Sequence, residues 1–298
     1  MKQTNSLREA VAAAFGEGAR IVDRAPVYGG DINRSWRLSL ADGSAAFLKT
    51  NAARNLPFFA AEAVGLKALR SANAIGVPEA LAIGTDAGEG TSFLLMEYLD
   101  AAPRIAGYWE TFGRELAKLH RADCRGLSGS DRPFGFASDN FIGATPQKNA
   151  PGASWIAFFR ECRLLPQMRM ADGYFDAKVR KQFTRLLDHL DDHLTEPEFP
   201  SLIHGDLWSG NAVCGPDGKA WILDPAAYVG HHEAELAMTE LFGGYPATFY
   251  RAYGEVNPID GGYRDRRDLY NLYHLLNHLN LFGGGYRSAV LGILNRYT

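Results

Sequence analysis

The spacing of apolar residues changes character near residue 100. Before it, short apolar runs alternate with turn residues; after it, apolar positions recur at helical intervals over longer stretches. Ser6 can cap a first helix over 7–15, with Glu9 three residues on and Gly16 and Gly18 to stop it. Three strand-like runs follow at 20–28, 35–40 and 45–50. They are joined by Gly29-Gly30-Asp31 and by Ala41-Asp42-Gly43-Ser44, which predicts an antiparallel meander. Pro57 opens a helix to about Arg70 that carries Phe59, Ala63 and Leu66 on one face. Two more strands are expected at 80–84 and 92–98. The polar, proline-containing break at Asp100–Pro103 then separates a first unit, residues 1–99, from a second, residues 100–298.

The second unit reads as mainly helical. Phe112, Leu116 and Leu119 form a stripe ahead of His120, which fits a packed, hydrogen-bonded histidine better than a ligand. Residues 126–152 are rich in Gly, Ser, Asp, Asn and Pro, and a connection this long without periodicity is usually functional. It is a candidate lining for an acceptor site. Helices are expected over 154–170 and 176–194, over 233–242 before Gly243-Gly244, over 263–281, and at the end of the chain. The whole is an α+β pattern with a small sheet-rich part and a larger helical one.

Chemistry concentrates between Leu202 and Asp224. Leu202-Ile203 leads into His204-Gly205-Asp206, and Asn211 follows at the H-x-D-x-x-x-x-N spacing of a kinase catalytic loop, with Gly205 where protein kinases have Arg. Ala212-Val213-Cys214 and Ala220-Trp221-Ile222-Leu223, separated by Gly-Pro-Asp-Gly, predict a hairpin that returns Asp224 toward Asp206. Phosphoryl transfer uses such residue types in that order. One carboxylate orients the attacking hydroxyl and accepts its proton, a task that suits Asp206. Magnesium takes oxygen ligands, usually one or two carboxylates together with phosphate and water, which suits Asn211 and Asp224. Read singly, Asp206 and Asn211 are equally good loop-formers and Asp224-Pro225 a turn starter; the joint spacing favours chemistry.

The first unit supplies matching phosphate contacts. Gly29 and Gly30, followed by Asn33, lie between the first two strands, where backbone N–H groups can approach phosphate, although the segment is not a Walker A loop. Lys49 ends the third strand at the place of a kinase phosphate-binding lysine, and Glu62 sits on the next helix where it could pair with it. The ordinary alternatives are a hairpin turn, an exposed strand-end lysine and a solvated glutamate. Glu97 and Leu99, at the crossing between units, are candidates for main-chain hydrogen bonds to adenine.

Composition adds exclusions. In 298 residues, 46% are hydrophobic, ample for a sizeable core, and a net charge of −3 gives no basic excess pointing to nucleic acid or an anionic membrane. Cys124, Cys162 and Cys214 have no C-x-x-C spacing, which argues against a disulfide framework or zinc site. Cys214 reads as a small buried hydrophobe. With an amphipathic opening segment and no run of membrane-spanning length, the expected location is cytoplasmic.

Taken together, GGDINRSWRL at 29–38, FLKT at 47–50, FFAAEAVGLKAL at 58–69, LLMEYL at 94–99, HGDLWSGN at 204–211 and DPAAYVGHHEAELAMTELFGG at 224–244 resemble the fructosamine kinase family. That family lies within the aminoglycoside and choline phosphotransferases, whose fold resembles the bilobal protein kinases. The resemblance implies a small antiparallel-sheet N-lobe and a larger helical C-lobe. It implies ATP and Mg2+ as cofactors, and transfer of the γ-phosphate to the O3 hydroxyl of a free or protein-bound ketosamine, a fructosamine or ribulosamine adduct, leading to deglycation. By matching position, Asp206 is the base, Asn211 and Asp224 the magnesium ligands, Lys49 the phosphate contact with Glu62 its partner, and Trp208 the residue stacking on the sugar or its amine. Glu235 stands where relatives of the wider class place an aspartate that braces the catalytic loop. The phosphate loop has none of the cysteine that some relatives use for an intersubunit disulfide, so redox-controlled dimerisation there is not expected, and the oligomeric state is left open. Three rivals stand beside this reading: another hydroxyl acceptor, an inactive ATP-binding interaction module, and a phosphohydrolase built on Asp191-Asp192-His193 and His204-Gly205-Asp206.

Overall fold

The computed structural model describes residues 2–28 and 33–298, so Gly29, Gly30, Asp31 and Ile32 lie outside the described residues. Strands β1 (Lys2–Thr4), β2 (Ile21–Val27), β3 (Arg34–Leu40), β4 (Ala45–Ala52), β5 (Ala80–Asp86) and β6 (Thr91–Glu97) form one sheet in the order β1-β5-β6-β4-β3-β2. The expected meander is β2-β3-β4. The sheet as a whole is mixed, not antiparallel, because β1 pairs parallel to β5. Three residues are too few to show a period, and the pairing depends on a distant glycine: a Cβ on Gly84 would meet the Thr4 carbonyl oxygen at 2.2 Å.

Alternation along β4 sorts its side chains onto two faces. Ala46 and Leu48 join Leu38, Leu40, Phe93 and Leu95 beneath helix α1 (Leu7–Phe15), which contributes Leu7, Ala10 and Val11. Lys49 points the other way, in register with Ser35 on β3 and Leu94 on β6, toward helix α2 (Leu56–Ser71) and the second lobe. The Ser6 hydroxyl accepts from the Glu9 N–H, the capping bond expected for α1.

The second lobe begins with α3 (Tyr108–His120) and a hairpin of β7 (Asn140–Ile142) and β8 (Thr145–Gln147), which the sequence pattern left as an unstructured connection. The helix expected over 154–170 is α4 (Trp155–Phe158), a π-helical stretch (Phe159–Leu164) and α5 (Leu165–Met170). The expected helix 176–194 ends earlier, as α6 (Ala177–Asp188) followed by a 3-10 turn (Leu190–Asp192). Then come β9 (Ser201–Ile203), β10 (Ala212–Cys214), β11 (Ala220–Ile222), β12 (Tyr228–Gly230) and helices α7 (His232–Leu241), α8 (Ala247–Val256), α9 (Tyr263–Phe282) and α10 (Arg287–Tyr297). Helix α8 escaped the sequence reading, although Phe249, Ala252 and Tyr253 fill its buried face. Cys214 is only half-buried, its thiol donating to the Ala102 carbonyl at 3.1 Å. Among the described residues no helix is long and apolar enough to cross a membrane.

Candidate active site

Two nested strand pairs bring the polar residues of 204–224 together. β10 and β11 form the predicted hairpin, and β12 returns antiparallel to β9, so the loop after β9 and the segment before β12 are held side by side. The Ala226 N–H donates to the His204 carbonyl at 3.0 Å across that junction. A Cβ on Gly205, where φ is +82°, would meet the Ala226 carbonyl oxygen at 2.3 Å, so glycine is required where protein kinases carry arginine. Asp224 itself adopts φ +57° immediately before Pro225, a conformation uncommon for a non-glycine residue and held here by the surrounding strands.

The loop is braced from beneath. The Glu235 carboxylate accepts from the His204 N–H at 2.9 Å, the Gly205 N–H at 2.8 Å and His120 Nε2 at 2.9 Å, all buried. The other His120 nitrogen meets the Tyr253 hydroxyl at 2.7 Å, and Asn257 donates to that hydroxyl at 2.8 Å. Burial alone would raise the Glu235 pKa, but the hydrogen bonds from His120 and the His204 N–H outweigh it and hold the group below its usual range. His204 donates through Nε2 to the Leu223 carbonyl at 2.7 Å and accepts the Asp206 N–H at Nδ1, a pattern that fixes its neutral tautomer. Both sequence expectations, His120 as a packed histidine and Glu235 as a brace, agree with this geometry. Replacing Glu235 by Ala leaves several buried donors without an acceptor and is expected to lower stability by about 3–5 kcal/mol, with Gln intermediate. Urea denaturation checks this; an unchanged midpoint for the Ala variant would contradict the brace.

Above the brace lies a cavity of about 670 Å³. Asp206, Trp208, Asn211 and Asp224 line it from the second lobe, and Asn33, Lys49 and Glu62 from the first. Lys49 Nζ contacts Glu62 Oε1 at 2.6 Å and also pairs with Asp224 Oδ1. Lys49 is only 5% exposed, so the strand-end alternative of a solvated lysine does not hold. Burial works against its charge, but Asp224 and Glu62 more than compensate and raise its pKa. The Glu62 pKa is also raised, by burial first, with Lys49 opposing and Asp224 adding to it. For Asp206, burial and then the Asp224 charge push the pKa well above the ordinary aspartate value, against a lowering by Asn211. The Asn211 amide donates to the Asp206 backbone oxygen at 2.9 Å and to Oδ2 at 3.2 Å, leaving its own carbonyl oxygen as an acceptor.

Glu97 and Leu99 stand at the lobe crossing outside this lining, and the Glu97 N–H already donates to the Glu79 carbonyl at 2.9 Å. Conversely, Asn140, Phe141 and Gly143 bring the 126–152 segment to the cavity. Asn140 is anchored there by donating to the Ala227 carbonyl at 2.8 Å, and Phe141 stacks on Phe58 of α2 with centroids 3.9 Å apart. The Trp208 indole lies against Gly210, where a Cβ would meet the ring at 2.3 Å, and its backbone carbonyl accepts from the Tyr245 hydroxyl.

The sequence profile of the family described as "Fructosamine kinase" matches residues 3–298. The chain belongs to the fructosamine kinase family. A probable ketoamine kinase of Synechocystis sp. is 41% identical over 297 residues, covering 98% of this chain and 95% of that protein. The chloroplastic protein-ribulosamine 3-kinase of Oryza sativa subsp. indica is 39% identical over 289 residues, with 95% and 80% covered. The crystal structure of a candidate fructosamine-3-kinase from Thermobifida fusca superposes with a TM-score of 0.83 at 34% identity and covers 99% of both chains. Within this fructosamine kinase family fold, the sequence reading missed Phe58, Phe242, His278 and Phe282 in the cavity wall. His278 carried a usable signal: it follows His274 by one helical turn on α9.

Proposed function

We propose that the chain transfers the γ-phosphate of ATP to the O3 hydroxyl of ketosamines, sugars joined to an amine as fructosamine or ribulosamine adducts. The 3-phosphate then decomposes and releases the amine, which makes the reaction a deglycation. The observation that supports this reading is the gathering of Asp206, Asn211, Asp224 and the Lys49–Glu62 pair around one cavity spanning both lobes. In a phosphoryl transfer little covalent chemistry falls to the protein, so positioning and charge stabilisation dominate. Asp206 orients the acceptor hydroxyl and takes its proton, and its raised pKa makes it a stronger base than an exposed aspartate. Lys49, held by Glu62, contacts the nucleotide phosphates. Gly29, Gly30 and Asn33 are the proposed phosphate contacts, Gly29 and Gly30 lying outside the described residues, and the main chain at Glu97 and Leu99 meets the adenine, through a carbonyl at Glu97.

The donor set fits magnesium. The Asn211 amide oxygen and the half-exposed Asp224 carboxylate are hard oxygen ligands on one cavity. That is the sparse protein contribution expected of an ion that keeps water and phosphate as its other ligands. When bound, magnesium neutralises phosphate charge. Trp208 stacks on the sugar or the protonated amine.

A nucleotide-dependent acceptor screen tests the proposal. Fructosyl-lysine should be phosphorylated with ATP, and mapping of the product by NMR should place the phosphate on O3. Turnover confined to an aminoglycoside or choline would reject the substrate class, and phosphate release from a monoester without ATP would reject the kinase reaction.

A further inference from the structure

The cavity does not end at Asp206. From Trp208 a continuous wall of rings runs outward: Trp208 meets Phe242 at 6.5 Å between centroids, Phe242 meets His278 at 4.8 Å, and His278 meets Phe282 at 5.4 Å and Tyr286 at 5.1 Å. All five line the same cavity as Asp206. Three elements converge to build it, the loop after β9, the end of α7 and the end of α9 with the turn beyond it. Trp208 is 39% and Phe282 55% exposed, large apolar surfaces left uncovered.

Charge along the lining is one-sided. Among the described lining residues the lysine and carboxylates are Lys49, Glu62, Asp206 and Asp224, all of them assigned to phosphate, metal or proton transfer. The ring wall carries none. His278 donates from Nδ1 to the His274 carbonyl at 2.8 Å, which leaves the acceptor lone pair on Nε2. Burial lowers its pKa, so the wall is uncharged at neutral pH while retaining one acceptor.

We propose that Trp208, Phe242, His278, Phe282 and Tyr286 form a subsite for the group carried on the acceptor's amine, selecting aryl and other apolar substituents over carboxylate-bearing ones. This rests on the ketosamine reading. With the O3 hydroxyl at Asp206, the amine at C1 points away from the phosphates, and its substituent continues onto the wall that starts two residues from Asp206. An apolar group there covers Trp208 and Phe282, whereas an α-carboxylate is desolvated against ring faces with no counter-ion on the wall.

The test compares two adducts with an identical fructosyl group, one of benzylamine and one of glycine, using the full chain with ATP and Mg2+. The benzyl adduct should show a kcat/KM at least about tenfold higher, within the range a hydrophobic pocket delivers. Phe282→Ala, a change at an exposed ring, should move the ratio of the two values toward one. Equal kcat/KM for both adducts in the unmodified protein, or an unchanged ratio in the variant, would overturn the subsite while leaving the kinase assignment standing. ATP-dependent turnover of neither adduct, nor of fructosyl-lysine, would instead remove the ketosamine reading on which the subsite rests.

Discussion

Asp206→Asn should lower kcat by about 10²–10⁴-fold while nucleotide affinity stays close to that of the unmodified chain. The substitution keeps the shape of the side chain and an oxygen that can accept from Asn211, which donates to Oδ2 at 3.2 Å. What it removes is the capacity to take a proton. The groups proposed to hold the nucleotide, Lys49 with Glu62 and Asp224, are joined by ion pairs in which Asp206 takes no part, so their arrangement survives. Steady-state kinetics with ATP and a ketosamine, alongside calorimetric nucleotide titration, separates the two quantities. The raised pKa of Asp206 adds a pH signature: turnover rises with pH as the carboxyl ionises, and the Asn variant lacks that limb. Parallel losses in turnover and nucleotide affinity, or no loss in either, would contradict the role of Asp206 as base.

The polar half of this site was legible in the sequence because it is local. Asp206 and Asn211 lie on one loop, and the Gly-Pro-Asp-Gly hairpin returns Asp224 to it, so spacing alone carries the geometry. Lys49 and Glu62 were legible because a strand end and the helix after it have little freedom in where they point. The missing parts are those that depend on contacts distant in sequence. β1 is three residues held by a parallel pairing with β5 and by Gly84. β7 and β8 are short and gain their place from Asn140 and Gln147, whose side chains donate to the Ala227 and Ala226 carbonyls respectively, residues distant in sequence. The ring wall draws on α9, a helix buried nearly all round, with Asn271, His274 and Asn277 inside beside its leucines. Hydrophobic periodicity located this helix, but it does not say which of the polar and aromatic residues among its leucines face the cavity.

That same polar interior sets the second large effect, a loss of stability in mild acid. His204, His231, His232, His274 and His278 all have lowered pKa values in the folded chain, in each case through burial first. For His232 and His274 the value falls to about 3. Neighbouring guanidinium groups reinforce it, Arg121 and Arg266 around His232 and Arg163 around His274. An unfolded histidine titrates near 6.5, so between these values the unfolded chain binds the proton that the folded chain refuses. The stabilising contribution is therefore complete above about pH 6.5 and is lost as pH falls toward 3. For each of these two residues that amounts to about 1.4 kcal/mol between pH 7.5 and 5.5, an appreciable part of the 5–15 kcal/mol typical of a folded domain. Asp206 and Glu62 act in the opposite sense, since their raised pKa values favour proton uptake by the folded state. Five histidines against two carboxylates favour a net loss, expected as a fall in stability from pH 7.5 to 5.5 in urea denaturation. His274→Gln, which cannot take up a proton in the unfolded chain, should flatten that dependence by about 1.4 kcal/mol over the same interval. A urea midpoint that stays constant across this range would mean that these imidazoles accept protons without unfolding, and that their burial does not control the acid response.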